Sequence, residues 1–296
     1  MIRVKNMTWA TILCVMLLGS GCQSDEEELN TSTCFSAVTS VVSAYLSSVH
    51  RTTINQSGTC FWTQGDKIFV KNGTSYVQSN NAATKQQSNV NFYVNGTFTA
   101  NSYPVLFTGT GNAKYNSVTI KAAQKQTTAN DATHLGTDGD CGTGIAYRNG
   151  TGAYSFQLEH KASYLNITPV NNSASGKPDI KLTSIKVQTS GTDNLCGTYT
   201  FSENTLNLKN ETNSAKGKAV TLTVNNFNVP TAAEVENDAS KLNQARAFIA
   251  IQPGVHKLTF IYTDSDGSVH QRETSQREYL PGHFTNVRHL LLTKHV

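Results

Sequence analysis

The sequence predicts an all-β chain of two tandem β-sandwich domains behind an export signal, and three observations carry that prediction. Short apolar runs alternate with polar residues at period two along most of the chain. Tight-turn dipeptides separate them: Asn72-Gly73, Asn95-Gly96 and Asn149-Gly150, with Asp264-Ser265-Asp266-Gly267 doing the same late in the chain. Charged residues are only 15%, against about 25% in a typical soluble domain. Thr, Ser, Asn and Gly take their place, as on secreted β-proteins. So few charges exclude a long charged bundle or coiled coil. A net charge of +4 with no Lys/Arg cluster excludes a nucleic-acid binder.

Residues 1–21 read as an address rather than as fold. Arg3 and Lys5 precede an apolar run over residues 7–18. That run is shorter than the ~20 residues a membrane span needs, and it suits a signal-peptide core. Leu18-Gly19-Ser20-Gly21-Cys22 follows, with small residues directly before a cysteine. Cys22 is therefore the expected lipid-attachment residue and the new N-terminus. Gln23-Ser24-Asp25-Glu26-Glu27-Glu28 is a short acidic tether that stays solvated and extended. Residues 22–33 are read as this lipidated tether. No later stretch is apolar enough to cross a membrane, so the remainder is expected outside the cell.

The body is expected to be strands. Lys67-Ile68-Phe69-Val70 opens the series. Val90-Asn91-Phe92-Tyr93-Val94, Val118-Thr119-Ile120, Tyr154-Ser155-Phe156-Gln157-Leu158 and Tyr164-Leu165-Asn166-Ile167 continue it. Residues 182–187, Val220-Thr221-Leu222-Thr223-Val224, residues 248–251 and Leu258-Thr259-Phe260-Ile261-Tyr262 close it. Only residues 231–245, rich in Ala, Glu and Lys after Pro230, look helical. The body is too long for one Greek-key sandwich of about 100 residues. Residues 204–218 are polar, so the boundary is placed there: 34–210 and 211–296.

Six cysteines occur; Cys14 lies in the leader and Cys22 is the lipidation candidate. Cys34, Cys60, Cys141 and Cys196 remain, either bridged in one of three pairings or as isolated buried thiols. No CxxC pair or Cys-His spacing suggests zinc. No GxSxG elbow, HExxH or P-loop occurs. Gly109-Thr110-Gly111-Asn112-Ala113-Lys114 reads as a surface loop. Asp264 to Gly267 reads as a turn rather than a calcium loop, and Asp138-Gly139-Asp140 is equally weak as a metal site. His160 reads as a strand histidine with its ring satisfied. No catalytic residue, metal or cofactor is expected.

Taken in order, these segments resemble the fimbrillin family, the subunits of type V pili in Bacteroidota. Trp62-Thr63-Gln64-Gly65-Asp66-Lys67-Ile68-Phe69-Val70 is similar to its "W-x-x-GD-x-I-x-V" strand. Phe98-Thr99-Ala100 with Tyr103-Pro104 is similar to "F-x-A-x-x-Y-P", and Gln126-Thr127 sits where a "QT" follows a strand. Leu158-Glu159-His160-Lys161-Ala162-Ser163-Tyr164-Leu165 resembles "L-x-H-x-x-S-x-L". Leu280-Pro281-Gly282-His283-Phe284-Thr285-Asn286-Val287 resembles the closing "L-x-x-G-x-x-Y-x-V", with Phe284 for Tyr. The acidic tether resembles the export signal of surface lipoproteins in the same phylum.

The resemblance implies a transthyretin-like double β-sandwich, a structural role, and a surface-exposed outer-membrane lipoprotein of a pilus serving cell adhesion. It implies partners: other pilus subunits by donor-strand exchange, the outer membrane through the lipid anchor, and a host protein or glycan ligand. It also implies that an arginine-specific protease removes the N-terminal segment with its first strand. Residues 35–49 are the expected removable strand, and the Arg51-Thr52 bond the candidate processing site. Val41-Val42 and Tyr45-Leu46 break strict alternation, so a helix is also open there. The chain closes at Val296 soon after Leu290-Leu291-Leu292, so a tip, accessory or anchor subunit is expected as readily as a stalk subunit. The alternative is a surface glycan-binding β-sandwich lipoprotein. That class needs exposed aromatics, and the two tryptophans are Trp9, in the leader, and Trp62.

Overall fold

The computed structural model describes residues 32–37, 53–54, 60–172, 179–201, 208–210 and 216–291. The leader, Cys22, the tether, residues 38–52 with Arg51 and Thr52, and the side chain of Cys60 lie outside the described residues. In chain order the first strands are β1 (Ser32–Ala37), β2 (Thr53–Ile54), β3 (Cys60–Phe61), β4 (Phe69–Asn72), β5 (Ser75–Gln78), β6 (Val90–Asn95) and β7 (Ser102–Phe107). Next come β8 (Val118–Ile120), β9 (Ala123–Gln126), the short helix α1 (Leu135–Asp138), β10 (Gly142–Arg148), β11 (Tyr154–Phe156), β12 (Glu159–His160) and β13 (Ser163–Asn171). They are followed by β14 (Ile180–Thr189), β15 (Cys196–Phe201), β16 (Leu208–Asn210), β17 (Lys216–Gly217), β18 (Ala219–Val229) and helix α2 (Ala232–Asn237). The last are β19 (Ala247–Ile251), β20 (Gly254–His256), β21 (Leu258–Asp264), β22 (Val269–Glu273), β23 (Arg277–Tyr279) and β24 (Phe284–Leu291). The all-β prediction holds.

The first sheet runs β5-β4-β7-β10-β11-β1-β6, with β12 also on β10. Period-two alternation builds it: Val90, Phe92 and Val94 of β6 are buried while Asn91, Tyr93 and Asn95 are exposed. Asn72-Gly73 makes the β4–β5 hairpin, and Gly73 takes the positive φ of 63° that such a turn requires. This sheet curls onto itself. β7 and β6 are four strands apart, about 19 Å in a flat sheet. Yet Phe107 of β7 and Phe92 of β6 have ring centroids 5.7 and 4.9 Å from that of the fully buried Trp62. The two ends then meet: Asn80 N donates to Tyr93 O at 2.7 Å, and Tyr93 N donates to Asn81 Oδ1 at 2.8 Å.

The second core is a sandwich. A five-stranded sheet, β22-β21-β14-β18-β9, and a three-stranded sheet, β19-β13-β24, share one apolar core. Ile185 and Val187 of β14 and Leu222 of β18 belong to it with Leu165 and Ile167 of β13 and Ile249 of β19. β15, paired with β8, β16 and β17, adds Tyr199. Gln124 and Gln126 of β9 fasten the two sheets. Gln124 accepts from Ala250 N at 3.0 Å and donates to Ala250 O at 2.8 Å. Gln126 accepts from Phe248 N at 2.9 Å and donates to Arg246 O at 3.0 Å. Buried amides thus satisfy backbone groups of β19 that no strand pairs on that side.

The expected boundary at 210/211 is corrected. Thr31–Val296 form one compact unit with two cores. β14, placed before the boundary, pairs with β18 and β21 after it, and β13 pairs with β19 and β24. Polar composition near residue 210 does not report which core the flanking strands enter. The helix expected over 231–245 is shorter. Thr231 caps α2 in a capping box with Glu234. Asp238 then adopts an extended conformation, accepts from Ser240 N at 2.9 Å and starts a separate 3-10 turn over Ala239–Gln244.

His289 of β24 yields a pH dependence. Burial, with help from Arg272 and Arg277, pushes its pKa down from 6.5 to about 4, and its Nδ1 lies 2.7 Å from the Tyr262 hydroxyl. The unfolded chain takes up this proton near pH 6.5 while the folded chain does not. Stability is therefore full above pH 6.5 and is lost as pH falls toward 4. Urea midpoints between pH 7 and 4.5 are expected to fall less steeply in His289→Gln than in the parent; equal slopes would refute the role.

Candidate assembly groove

β1 is the first described strand in sequence, yet it sits inside the sheet rather than at its edge. It pairs antiparallel with β6 over six residues, Ser32↔Asn95 to Ala37↔Val90. On its other side it pairs parallel with β11 over three, Phe35↔Tyr154 to Ala37↔Phe156. Its side chains follow the pleat: Phe35 and Ala37 are 0% and 2% exposed, and Ser36 points outward to Asn91 Oδ1 at 2.8 Å. The sequence placed the first strand at residues 35–49. The described strand begins three residues earlier, and the alternation Thr33, Phe35, Ala37 was the available signal. Arg51 lies in chain order between β1 and β2, which begins at Thr53.

Phe35 enters an aromatic box. It stacks on Tyr154 (centroids 4.8 Å, interplanar angle 15°) and meets Phe98 edge-on at 5.0 Å. Tyr103 closes the box, 5.0 Å from Phe98 and 5.3 Å from Tyr154. Hydrogen bonds lock these walls. The Tyr154 hydroxyl lies within donating distance of Phe98 O (3.1 Å) and Ala100 O (2.8 Å). The Tyr103 hydroxyl accepts from Thr99 N at 2.7 Å and Ala100 N at 2.8 Å. The "F-x-A-x-x-Y-P" residues are therefore the pocket wall for β1, and Tyr154 is the lining residue that the motifs did not reveal.

The other motif residues hold the frame. Asp66, fully buried, accepts from Thr63 N at 2.7 Å and from the Thr110 hydroxyl at 2.6 Å, tying the Trp62 turn to the 109–114 loop. His160 Nδ1 lies 2.5 Å from Asp140 Oδ1, and the Tyr164 hydroxyl donates to the same oxygen. His160 and Asp140 side chains are each 2% exposed, so this cluster faces no solvent. It lies where the chain passes between cores, Leu158 in the first and Ala162 in the second. Gly282 N donates to Ala162 O at 2.7 Å, and at φ +72° a Cβ there would stand 3.1 Å from His160 O. Phe284 stacks on Tyr164 at 4.8 Å. His160 is only half satisfied, against expectation: its Nε2 has no partner among the described residues.

Among the described residues Cys34, Cys141 and Cys196 are free thiols. Burial, then the Asp140 carboxylate, pushes the Cys141 pKa well up, and burial raises that of Cys196, so both stay protonated and inert. Among the described residues no three His, Cys, Asp or Glu side chains form a metal-holding group.

No family model and no curated protein matches the chain. Solved structures do. A candidate cell adhesion protein from Bacteroides uniformis is 11% identical, with 88% of this chain and 94% of that chain covered at a TM-score of 0.46. One from Bacteroides ovatus is 12% identical (87% and 92% covered, TM-score 0.43). A fimbrial assembly protein from Parabacteroides distasonis is 10% identical (88% and 91% covered, TM-score 0.37). All three come from Bacteroides or Parabacteroides. With TM-scores below 0.5, the functional argument rests on the chain's own residues.

Phe35 is the anchor of β1. Phe35→Ala is expected to cost about 3–5 kcal/mol of local stability. Amides of β6 and β11 that face β1 should then exchange hydrogen faster, while those of β14 and β21 stay protected. Unchanged exchange at β6 and β11 would show that β1 does not depend on this ring.

Proposed function

We propose that the protein is a fimbrillin-like surface lipoprotein, a structural subunit of an adhesive pilus assembled by strand exchange. One observation carries the reading. The first described strand fills an interior position between β6 and β11, and in chain order the candidate processing bond Arg51-Thr52 separates it from the later strands. Cutting there would free β1 from its covalent hold. Its loss would leave unpaired backbone groups on two strands and an empty aromatic box. A neighbour's strand supplies both kinds of partner at once, which is the chemistry of strand addition.

The motif residues support a structural role. Those described above form a turn, a pocket wall, a tie between sheets or a joint between cores, and His160 and Asp140 are closed off from any substrate. The glycan-binding alternative loses its one tryptophan outside the leader, since Trp62 is fully buried. In this reading Cys22 carries the lipid, residues 23–28 are the export tether, and the protein lies on the outer face of the outer membrane.

Treatment of the full chain with an arginine-specific protease tests the assembly step. The expected outcome is an early cut after Arg51, followed by SDS-resistant ladders. A chain left intact at Arg51, or a cut product that stays monomeric, overturns strand exchange. The anchor is tested separately: palmitate labelling of the expressed protein should vanish in Cys22→Ala, and labelling that persists removes Cys22 from the role.

A further inference from the structure

We infer that the β1 groove selects its incoming strand by a two-position code: an aromatic side chain in the Phe35 pocket, then a residue no larger than alanine two positions on. The inference rests on the strand-exchange reading and names the kind of partner that site accepts. The occupant is a strand of another polypeptide, running parallel to β11 and antiparallel to β6 as β1 does.

The aromatic requirement follows from the box. Tyr103 packs on both Phe98 and Tyr154, and those two rings in turn flank Phe35. The Tyr103 and Tyr154 hydroxyls are tied to the backbone at Phe98, Thr99 and Ala100, and none of those bonds involves β1. The pocket is thus shaped without its occupant, and a preformed aromatic slot favours a ring over an aliphatic chain. The small-residue requirement comes from register. Ala37 lies between Phe156 of β11 and Val90 of β6, all three buried, so a larger side chain has no room in the close-packed core. The residue between them faces outward to Asn91 and contributes little selectivity. The two positions lie on one face, so a one-residue slip turns both outward and the code also sets register.

Peptides test this without altering the groove. The full-length Phe35→Ala chain is unfolded in urea and refolded with a labelled peptide spanning residues 31–38, carrying Cys34→Ser. The parent peptide is expected to be taken up with at least about hundredfold higher affinity than peptides carrying Phe35→Ala or Ala37→Leu. A peptide with the phenylalanine moved to position 36 should not enter. Equal uptake of all peptides, or uptake of none, overturns the code. Cleavage at Arg51 plays no part in this assay. Selective uptake by a chain that is never cut would sink strand exchange and leave the selectivity. Cutting and assembly with unselective uptake would sink only the code.

Discussion

A strand inside a sheet must satisfy the backbone of two neighbours at once, and in the first sheet that task falls to the six residues of β1. β6 hydrogen-bonds it along its whole length, and β11 meets it where Phe35 and Ala37 enter the core. The curl of the sheet around Trp62 involves this join, because among the described strands β1 is the one that pairs with both β6 and β11. Unpaired backbone groups in a sheet interior are costly, so the place cannot stay empty without loss. That requirement makes the first core sensitive to whichever strand occupies the position, whatever chain it comes from.

The second core has no such dependence. Its sheets are held by long pairings between strands internal to the chain, above all β13 with β24 and β14 with β18 and β21. Buried glutamines close the side where β19 has no strand neighbour among the described residues. Between the cores stands a joint of three chain segments: the Asp140 loop, the His160 strand and the Leu280-Pro281-Gly282 turn.

Much of the architecture was legible in sequence because it is local. The β6 alternation, the Asn72-Gly73 hairpin and the short helix after Pro230 are written within a few residues each. Non-local facts were harder to read. The polar stretch around residue 210 looked like a linker, yet the strands on both sides of it share a sheet. His160 looked like an ordinary strand histidine, and only its folded neighbours reveal a buried contact with Asp140 and Tyr164. Tyr154 carried no motif that marked it as the wall against which Phe35 stacks.

The sequence by itself determined the all-β character, the sides on which side chains fall along most strands, and the turns that join neighbours, because each depends on residues close in the chain. Only the tertiary structure decided that the first described strand is an interior one, that two cores share an interleaved chain, and that Phe35 meets a ready-made aromatic box. Those features join residues separated by tens to more than a hundred positions. Periodicity tells a strand which face to bury, but not which neighbour it will lie beside.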